Sequence, residues 1–342
     1  MNENELISDR RGKKPIFVRG LGSYLPERIL SNADLEKIVA TSDEWITTRT
    51  GIRERRIAEE NQYTSDLAAE AAKKALADAQ CGPEDVDAII VATVTADMAF
   101  PSTAAFVQKK IGARNCPCMD LEAGCSGVPY GLELASALLR QGPYRNILAI
   151  SADKLTTITD WQDRLTCVLF GDGAAAFLVS CEGVGAKWEV LHIYIANDSD
   201  GTDILYLPGG GSHMPATEET VKNRMHFLKM NGKEVFKEAI KGMGLALENV
   251  CALGNITPDQ IRFFAPHQAN KRILSAIAEH MNLPPERFLS IVEWSGNTSS
   301  ASLGIAMDHA VHHGWLRPGD LVAPVSFGAG LTTGACLLRW IG

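Results

Sequence analysis

The sequence predicts an α/β protein, in which largely parallel sheets are covered by helices on both faces. Apolar runs rich in Val, Ile, Leu and Ala are typical of buried strands. Helix-like segments alternate with these runs, and such alternation favours parallel strands joined by crossover helices. The predicted strands lie at 86–95, 146–152, 174–180 and 188–195.

The first elements in chain order are a tail and a helix. Residues 1–14 are strongly charged and precede the first apolar run, so they are predicted to form a flexible tail. A helix is predicted at 65–80, "SDLAAEAAKKALADAQ". Ser65 is a residue type that caps helix N-termini, and Gly82 is one that closes helices.

A weak internal repeat relates the two halves of the chain. "GPEDVDAIIVATVT" at 82–95 is similar to "TPDQIRFFAPHQ" at 257–268, because each begins with Pro and an acidic residue and leads into a strand. About forty residues later, each half reaches a turn rich in small residues, "AGCSG" at 123–127 and "SGNTSSAS" at 295–302. Two similar halves packed together would bring these turns to a shared centre, and chance similarity of two α/β halves is the alternative.

Composition and charge exclude several classes of protein. A chain of 342 residues that is 46% hydrophobic can bury a large core. Its 33 basic and 41 acidic residues give a net charge of -8, which argues against nucleic-acid binding and requires a local basic patch for any acidic partner. The charged N-terminus lacks a signal-peptide core, and no window offers about 18 uncharged apolar residues. A cytoplasmic protein that does not enter a membrane is predicted.

The sequence predicts no metal and no resident cofactor. The eight cysteines show no paired spacing except "CPC" at 116–118, which suits neither a disulfide framework nor a zinc site. The run "GLGSYLP" at 20–26 lacks the third glycine of a dinucleotide site, and "FGAGLTTGA" at 327–335 lacks the lysine of a phosphate-binding loop. Most of the cysteines are expected to be small buried hydrophobic residues.

One cysteine, Cys125, stands out by its position directly before a predicted helix. The helix tolerates Pro129 in its first turn and ends at Arg140 and Gly142. Its apolar face consists of Val128, Leu132, Ala135 and Leu139.

The start of a helix is a favourable place for a nucleophilic thiol. Unpaired N–H groups and the positive end of the helix dipole favour a thiolate, so the pKa of Cys125 is predicted to be lowered. Gly124 and Gly127 would let a substrate carbonyl approach backbone N–H groups that could hold an oxyanion. A capped helix with an inert, buried cysteine is the alternative.

Two further polar residues follow apolar segments in the second half. His267 comes directly after a predicted strand, beside the amides of Gln268 and Asn270, and is placed to present a ring nitrogen. Asn297 either caps the helix that follows it, which is the commonest use of Asn there, or donates to an oxyanion without titrating.

With Cys125, His267 and Asn297 in this order, the chain resembles the β-ketoacyl-acyl carrier protein synthase III family of the thiolase-like superfamily. The resemblance covers nearly the whole chain from about residue 15. The motifs that carry it, in order, are "GSYLPERILSNADLEKIVATSDEWITTRTGIRERRIA" (22–58), "AFPSTAA" (99–105), "GCSG" (124–127), "FGDGAAA" (170–176), "PHQAN" (266–270), "GNTSSAS" (296–302) and "SFGAG" (326–330).

The resemblance implies a five-layered α-β-α-β-α fold of two duplicated halves. The first half, 15–185, would carry the nucleophilic cysteine, and the second, 186–342, the histidine and asparagine. It also implies the reaction: Cys125 takes the acyl group of an acyl-CoA, malonyl-acyl carrier protein loses CO₂, and the resulting enolate attacks the acyl group. A β-ketoacyl-acyl carrier protein, the start of fatty acid synthesis, would be the product.

The resemblance implies catalytic roles for individual residues of this chain. A ring N–H of His267 and the amide of Asn297 would stabilise the enolate oxygen. The backbone N–H groups of Cys125 and Ala329 would hold the oxyanion of acyl transfer. The resemblance also implies supporting roles, next to these catalytic groups, for Phe327 and Asn270.

The resemblance also implies binding surfaces and a dimer. The adenine of CoA would lie between Trp45 and Arg164, with Arg49 nearby. Phe100 would reach into the acyl pocket of a second subunit, which implies a homodimer. Docking of the acidic carrier protein is assigned to basic residues, Lys237, Lys271 and Arg272.

Three residues depart from the family pattern and leave alternatives open. Glu279 and His280 stand where lysines are frequent, which weakens the prediction of carrier docking, and Glu122 precedes the nucleophile in place of a small residue. An acyltransferase or a specialised condensing enzyme with a CoA-bound extender is one alternative. A cysteine hydrolase with His267 as general base is another, and a catalytically silent binding protein a third. The length and branching of the primer cannot be read from the sequence.

Overall fold

The computed structural model describes residues 14–342. The tail predicted at 1–14 therefore lies outside the described residues, except for Lys14. The strands, in chain order, are β1 (Ile16–Tyr24), β2 (Ile29–Ser31), β3 (Glu54–Arg56), β4 (Ala88–Ala92), β5 (Cys118–Leu121), β6 (Asn146–Lys154), β7 (Asp172–Ser180), β8 (Trp188–Asn197), β9 (Leu205–Tyr206), β10 (Lys229–Met230), β11 (Ile261–Pro266), β12 (Leu321–Gly328) and β13 (Thr332–Trp340).

Helices alternate with these strands in both halves. In chain order they are α1 (Asn32–Leu35), α2 (Asp43–Thr50), α3 (Thr64–Asp78), α4 (Thr103–Ile111), α5 (Gly127–Gln141), α6 (Glu218–Lys222), α7 (Gly232–Gly254), α8 (Lys271–His280), α9 (Val292–Ser295) and α10 (Ala301–His312). The four strands predicted from apolar runs are confirmed as β4, β6, β7 and β8.

The main sheet has nine strands in the order β11-β12-β13-β8-β1-β7-β6-β4-β5. Only β4 with β5, β4 with β6, and β11 with β12 pair in parallel, and the other neighbours are antiparallel. The prediction of largely parallel sheets is therefore wrong. No α-helix lies between β6 and β7 or between β12 and β13, so these strands return in the opposite direction.

Five layers result from how the helices cover this sheet. Helices α5 and α10 contact strands of both halves, α5 touching β4, β6, β8 and β13, so they form the central layer. Helices α3 and α4 cover the first half from outside, and α7 and α8 cover the second. The largest apolar cluster surrounds the central layer. The predicted α-β-α-β-α fold is confirmed, while the boundary between 15–185 and 186–342, which falls between β7 and β8, stays a prediction.

Helix α3 confirms one predicted element and corrects its ends. Tyr63, not Ser65, occupies the N-cap, and its N–H donates to the Asp66 carboxylate at 2.8 Å. Ser65 lies inside the helix and donates to Asp97 at 2.5 Å. The chain leaves the helix at Gln80, which has a φ of 54°, so Gly82 is not the closing residue.

Helix α5 matches its prediction closely. It begins two residues after Cys125, keeps Pro129 in its first turn and has Gly142 as its C-cap. Its apolar face is buried against α10 and the strands of both halves, as predicted for Val128, Leu132, Ala135 and Leu139. The start of the helix is therefore held rigidly at the centre of the molecule.

Candidate active site

Turns from the two halves meet at the centre of the molecule. The first is a tight turn at Gly124–Ser126, and the second connects β12 to β13 at 328–332. Gly124 has a φ of 50°, and a Cβ atom there would lie 2.8 Å from the Ala329 nitrogen. Glycine is required both by this conformation and by the lack of space. The backbones of Cys125 and Ala329 consequently lie side by side.

A buried hydroxyl group joins the two turns. Thr332 Oγ1 donates to the Ala123 carbonyl at 2.9 Å and lies 3.1 Å from Ser126 Oγ. These contacts fix the segment that carries Cys125 relative to β13. The sequence analysis missed Thr332, because a threonine at the start of a strand carries no signal beyond β propensity.

A cavity of about 930 Å³ opens in front of this junction. The predicted residues that line it are Cys125, His267, Asn297, Ala329, Phe327, Asn270, Trp45, Arg49 and Arg272. The predicted residues outside its lining are Arg164, Phe100, Lys237 and Lys271. The fold thus brings the three candidate catalytic side chains to one cavity, from segments that are distant in sequence.

The structure corrects the prediction of a lowered Cys125 pKa. Burial raises the pKa of the thiol to about 12, and the charges of Asp153 and Glu122 act in the same direction. Ser299 Oγ, 3.6 Å from Cys125 Sγ, opposes the rise. A helix N-terminus lowers a thiol pKa by about one unit, whereas burial raises it by up to about 3 to 5 units. Cys125 is therefore protonated until a base takes its proton.

His267 is a neutral imidazole at the end of β11. Its backbone N–H donates to the Val325 carbonyl at 2.8 Å, and Nδ1 lies 3.1 Å from Ser302 Oγ. Burial lowers the pKa of the ring to about 4, and the Ser299 carbonyl opposes this only in part. At neutral pH the ring therefore carries one proton, and one of its two nitrogens is unprotonated.

Asn297 does not cap the helix that follows it. Helix α10 begins at Ala301 with Ser300 as its N-cap. The Asn297 backbone is bound to the strand-like segment at 169–171 through two hydrogen bonds of 2.9 Å, and its Oδ1 accepts from the Ser299 N–H at 2.9 Å. Within residues 14–342 no acceptor contacts Nδ2, so this amide group can donate into the cavity.

A buried carboxylate that the sequence analysis missed lies behind the nucleophile. Asp153 is fully buried at the end of β6, and its Oδ1 accepts from Thr93 Oγ1, Val94 N and Thr95 Oγ1 at 2.8 to 3.1 Å. Its Oδ2 has no hydrogen bond of good geometry in the described chain, although Ser299 lies close enough to lower the pKa. Burial outweighs these donors and raises the pKa to about 6. Asp153 is therefore ionised at pH 8 and opposes the thiolate.

Removal of this charge is expected to make Cys125 more reactive. In Asp153→Asn, the amide oxygen keeps the three donors of Oδ1, and the pKa of Cys125 falls because one negative charge is gone. Alkylation of Cys125 by iodoacetamide at pH 8 should become faster by on the order of tenfold, the factor for one pH unit. Peptide mass mapping over a pH series measures the rate at this cysteine alone.

Asp172→Asn is the matched control for this variant. Asp172 is equally buried, and burial likewise raises its pKa to about 6, but it has no influence on the Cys125 pKa. An equal increase in both variants, or none in Asp153→Asn, would contradict the assigned role of the Asp153 charge.

The predicted CoA-binding residues form a stack at the cavity mouth. The guanidinium carbons of Arg49 and Arg164 lie 4.9 and 4.7 Å from the centroid of the Trp45 ring. At this spacing Arg164 contacts the ring directly, so an adenine between the two requires Arg164 to move away. The exposed arginine side chains permit that movement.

The residues predicted for supporting roles and for the acyl pocket lie in three different environments. Phe327 is buried, lines the cavity and packs in the core of the second half. Asn270 also lines the cavity, but its Oδ1 caps α8 by accepting from the Ile273 N–H at 3.0 Å. Phe100 is 84% exposed in the loop between β4 and α4.

The basic residues predicted for carrier docking are all exposed, but only one lines the cavity. Lys271 is paired with Glu293 at 2.6 Å, which neutralises much of its charge. Arg272 lies over the Phe236 ring at the mouth, 5.5 Å from its centroid. Lys237 is on the neighbouring helix α7. The departures from the family pattern at the far end of α8 are exposed as well, Glu279 and His280.

Residues 14–342 contain neither a cluster of metal-binding side chains nor a helix that could span a membrane. No set of three or more His, Cys, Asp or Glu side chains has the arrangement of a metal site. None of the helices in this range is both long enough and apolar enough to cross a bilayer.

Comparison with known proteins gives consistent matches over nearly the whole chain. Models of 3-oxoacyl-[acyl-carrier-protein (ACP)] synthase III match residues 119–199 and, for the C-terminal part, 251–340. The β-ketoacyl-[acyl-carrier-protein] synthase III of Caldanaerobacter subterraneus is 50% identical over 94% of this chain and 97% of its own length.

Solved structures agree with these sequence matches. The 3-oxoacyl-[acyl-carrier-protein] synthase III of Aquifex aeolicus superimposes with a TM-score of 0.86 and 41% identity, covering 95% of this chain and 100% of that one. The priming β-ketosynthase from a polyketide biosynthetic pathway gives a TM-score of 0.87 at 30% identity, covering 96% and 97%.

Proposed function

The chain belongs to the β-ketoacyl-acyl carrier protein synthase III family, and we propose that it condenses an acyl-CoA primer with malonyl-acyl carrier protein through an acyl-Cys125 intermediate. It is an acyltransferase-type condensing enzyme, and the reaction is the initiating condensation of fatty acid synthesis. The observation that carries the intermediate is the convergence of Cys125, His267 and Asn297 on one cavity.

In the first half-reaction, Cys125 attacks the thioester carbonyl of the acyl-CoA. The proton of the thiol passes to the ring of His267, which lines the same cavity and is neutral, with one unprotonated nitrogen. The tetrahedral oxyanion is held by the adjoining N–H groups of Cys125 and Ala329. CoA leaves, and the acyl group stays on Sγ, which separates acyl transfer from condensation.

In the second half-reaction, malonyl-acyl carrier protein enters and loses CO₂. Decarboxylation needs donors aimed at the developing enolate oxygen rather than a strong base. The free Nδ2 of Asn297 is one such donor, and a protonated Nε2 of His267 is the other. Phe327 and the apolar walls exclude water, so the enolate carbon attacks the acyl group and not a proton donor.

Substrate binding uses both sides of the cavity mouth. The stack of Trp45, Arg49 and Arg164 supplies flat faces for the adenine of CoA once Arg164 moves aside. Arg272, Lys271 and Lys237 supply the positive charge for an acidic carrier protein, with Arg272 the nearest to the cavity. Both CoA and the carrier arrive as substrates, and the reaction as proposed uses no resident cofactor or metal.

A cytoplasmic homodimer completes the proposal. Phe100 is 84% exposed, and within residues 14–342 β5 leaves an unpaired edge at one end of the main sheet. Pairing of two such edges would cover both features. Analytical ultracentrifugation of the whole chain should give a dimer, and a monomer at micromolar concentration would refute this part.

A specialised condensing enzyme or acyltransferase with a CoA-bound extender remains the second candidate. Its support is the pairing of Lys271 with Glu293 together with Glu279 and His280 on α8, which weakens the carrier-docking face. The structural match to a polyketide priming enzyme is consistent with it. Product formation from malonyl-CoA but not from malonyl-acyl carrier protein would favour this candidate.

Intact-protein mass spectrometry tests the covalent step. Brief incubation with acyl-CoAs from acetyl to medium and branched chains should add one acyl group to the wild-type protein and none to Cys125→Ala. The acyl-CoA that reacts fastest identifies the primer. Absence of an adduct with every acyl-CoA would refute priming from CoA, and release of free acid would identify a hydrolase.

A further inference from the structure

The hydrogen bonds around His267 determine which ring nitrogen carries the proton. Ser302 lies at the start of α10 and is fully buried. Its Oγ is 2.7 Å from the Ser299 carbonyl, 3.1 Å from the Gln268 backbone N–H nitrogen and 3.1 Å from His267 Nδ1. A serine hydroxyl has one proton to donate and two lone pairs that accept.

Only one assignment of hydrogen-bond donors and acceptors is consistent with these three contacts. A carbonyl oxygen can only accept, so the Ser302 hydroxyl donates its proton to the Ser299 carbonyl. A backbone N–H can only donate, so the Gln268 N–H occupies one lone pair of Ser302 Oγ. The second lone pair faces His267, and Nδ1 must therefore carry the ring proton and donate it to Ser302.

We propose that Ser302 is a positioning residue that fixes neutral His267 as its Nδ1–H tautomer, so that Nε2 is the atom that accepts the Cys125 proton. This inference rests on the proposed function of Cys125 as the nucleophile. Because Nδ1 is turned towards α10 and His267 lines the cavity, the unprotonated Nε2 edge faces the cavity. On this assignment, the ring N–H that His267 offers to the enolate is the Nε2–H formed when the ring accepts the Cys125 proton.

The assignment gives a balanced path for the proton. In acyl transfer the Sγ–H bond breaks, Nε2–H forms, Sγ bonds to the acyl carbon, and CoA leaves as a thiolate that takes a proton from water. The Nε2–H then donates to the enolate oxygen formed when CO₂ leaves. As the new carbon–carbon bond forms, the bond from Sγ to the acyl carbon breaks, and Sγ recovers its proton from Nε2. Nε2 thus accepts the proton in acyl transfer and returns it to Sγ in condensation.

The tautomer can be observed directly in the free enzyme. The chain is labelled with ¹⁵N-histidine, and long-range ¹H–¹⁵N correlation separates protonated from unprotonated ring nitrogens for its eight histidines. The spectrum of His267→Gln identifies the signals of His267 by difference. We expect Nδ1 to be protonated and Nε2 unprotonated. A protonated Nε2 with an unprotonated Nδ1 in the wild-type protein would overturn the proposal.

The role of Ser302 is tested by two serine variants from the same turn. Ser302→Ala removes the oxygen that accepts the Nδ1 proton, so both tautomers should be populated. Formation of acyl-Cys125 should slow by at least about tenfold, without a change in the half-saturating acyl-CoA concentration. Ser300→Ala is the control, because Ser300 is equally buried and its hydroxyl has no partner within residues 14–342.

The outcomes separate this proposal from the proposed function. Identical spectra and acylation rates in the two serine variants would overturn the role of Ser302. If the wild-type protein forms no acyl adduct, the proposed function fails, and with it the path of the proton. The spectrum would still decide the tautomer. If Ser302→Ala does not fold, the wild-type spectrum decides alone.

Discussion

Replacement of Cys125 by alanine is expected to abolish condensation, with a loss of about 10⁴-fold or more, while malonyl-acyl carrier protein is still decarboxylated. Without Sγ no acyl group can be held, and loss of a nucleophile removes the covalent route entirely. Asn297, the donor that serves only the enolate, belongs to the other half of the chain and stays in place, whereas Nε2 of His267 no longer receives a proton from the thiol. The enolate should then be protonated, giving acetyl-acyl carrier protein. Release of labelled CO₂ and mass spectrometry of the carrier measure the two reactions separately.

Cys251→Ala is the control for this experiment. Cys251 is a buried thiol in α7 that does not line the cavity, so its loss should leave both reactions unchanged. Condensation by Cys125→Ala would contradict the covalent mechanism. Loss of decarboxylation to the same extent as condensation would contradict the assignment of the two half-reactions to separate groups.

The elements of the fold were predictable where one local signal decided them. The apolar face of α5 and the strands β4, β6, β7 and β8 follow from period and composition. The direction of β7 relative to β6 does not, because it depends on whether a helix covers the connection, and the segment between them at 155–171 has no α-helix. Sequence patterns indicate which residues are buried, but they say less about which strands become neighbours in the sheet.

The residues that meet at the cavity were predictable, but their electrostatics were not. The position of Cys125 before a helix singled out a cysteine that lines the cavity, while the inferred direction of its pKa shift was wrong. The helix effect is local and visible in the sequence, whereas the burial that outweighs it exists only in the folded protein. Asp153 was missed for the same reason, since it comes from β6 and meets Cys125 only in the folded protein.

Ser302 and Ser299 illustrate a related limit. Both lie in the run "SGNTSSAS", in which only Asn297 was a predicted site residue. Serines in a small-residue turn are most often helix caps or packing residues. Their roles depend on a carbonyl, an amide and an imidazole that three different segments bring together.

Asn297→Ala and His267→Ala are expected to separate the two half-reactions. Asn297 serves only the enolate, so its loss should slow decarboxylation by about 10²-fold to 10³-fold while acyl-Cys125 forms at nearly the wild-type rate. His267 also accepts the thiol proton, so its loss should slow both steps. Because the two groups serve one oxyanion, the double variant should lose less than the product of the single losses. Adduct formation and CO₂ release, each followed in a single turnover, measure these rates.

Thr298→Ala is the matched control, because Thr298 is fully buried next to Asn297 and its hydroxyl has no partner in the described chain. It should retain both rates. If Asn297→Ala slowed acyl transfer as much as decarboxylation, the amide would be serving the first oxyanion too, and the backbone N–H groups of Cys125 and Ala329 would be insufficient for it. Unequal losses in the two half-reactions would instead mean that one cavity stabilises two oxyanions with different donors. Such a division of donors allows one cysteine to accept an acyl group from one thioester and to pass it to the enolate of another.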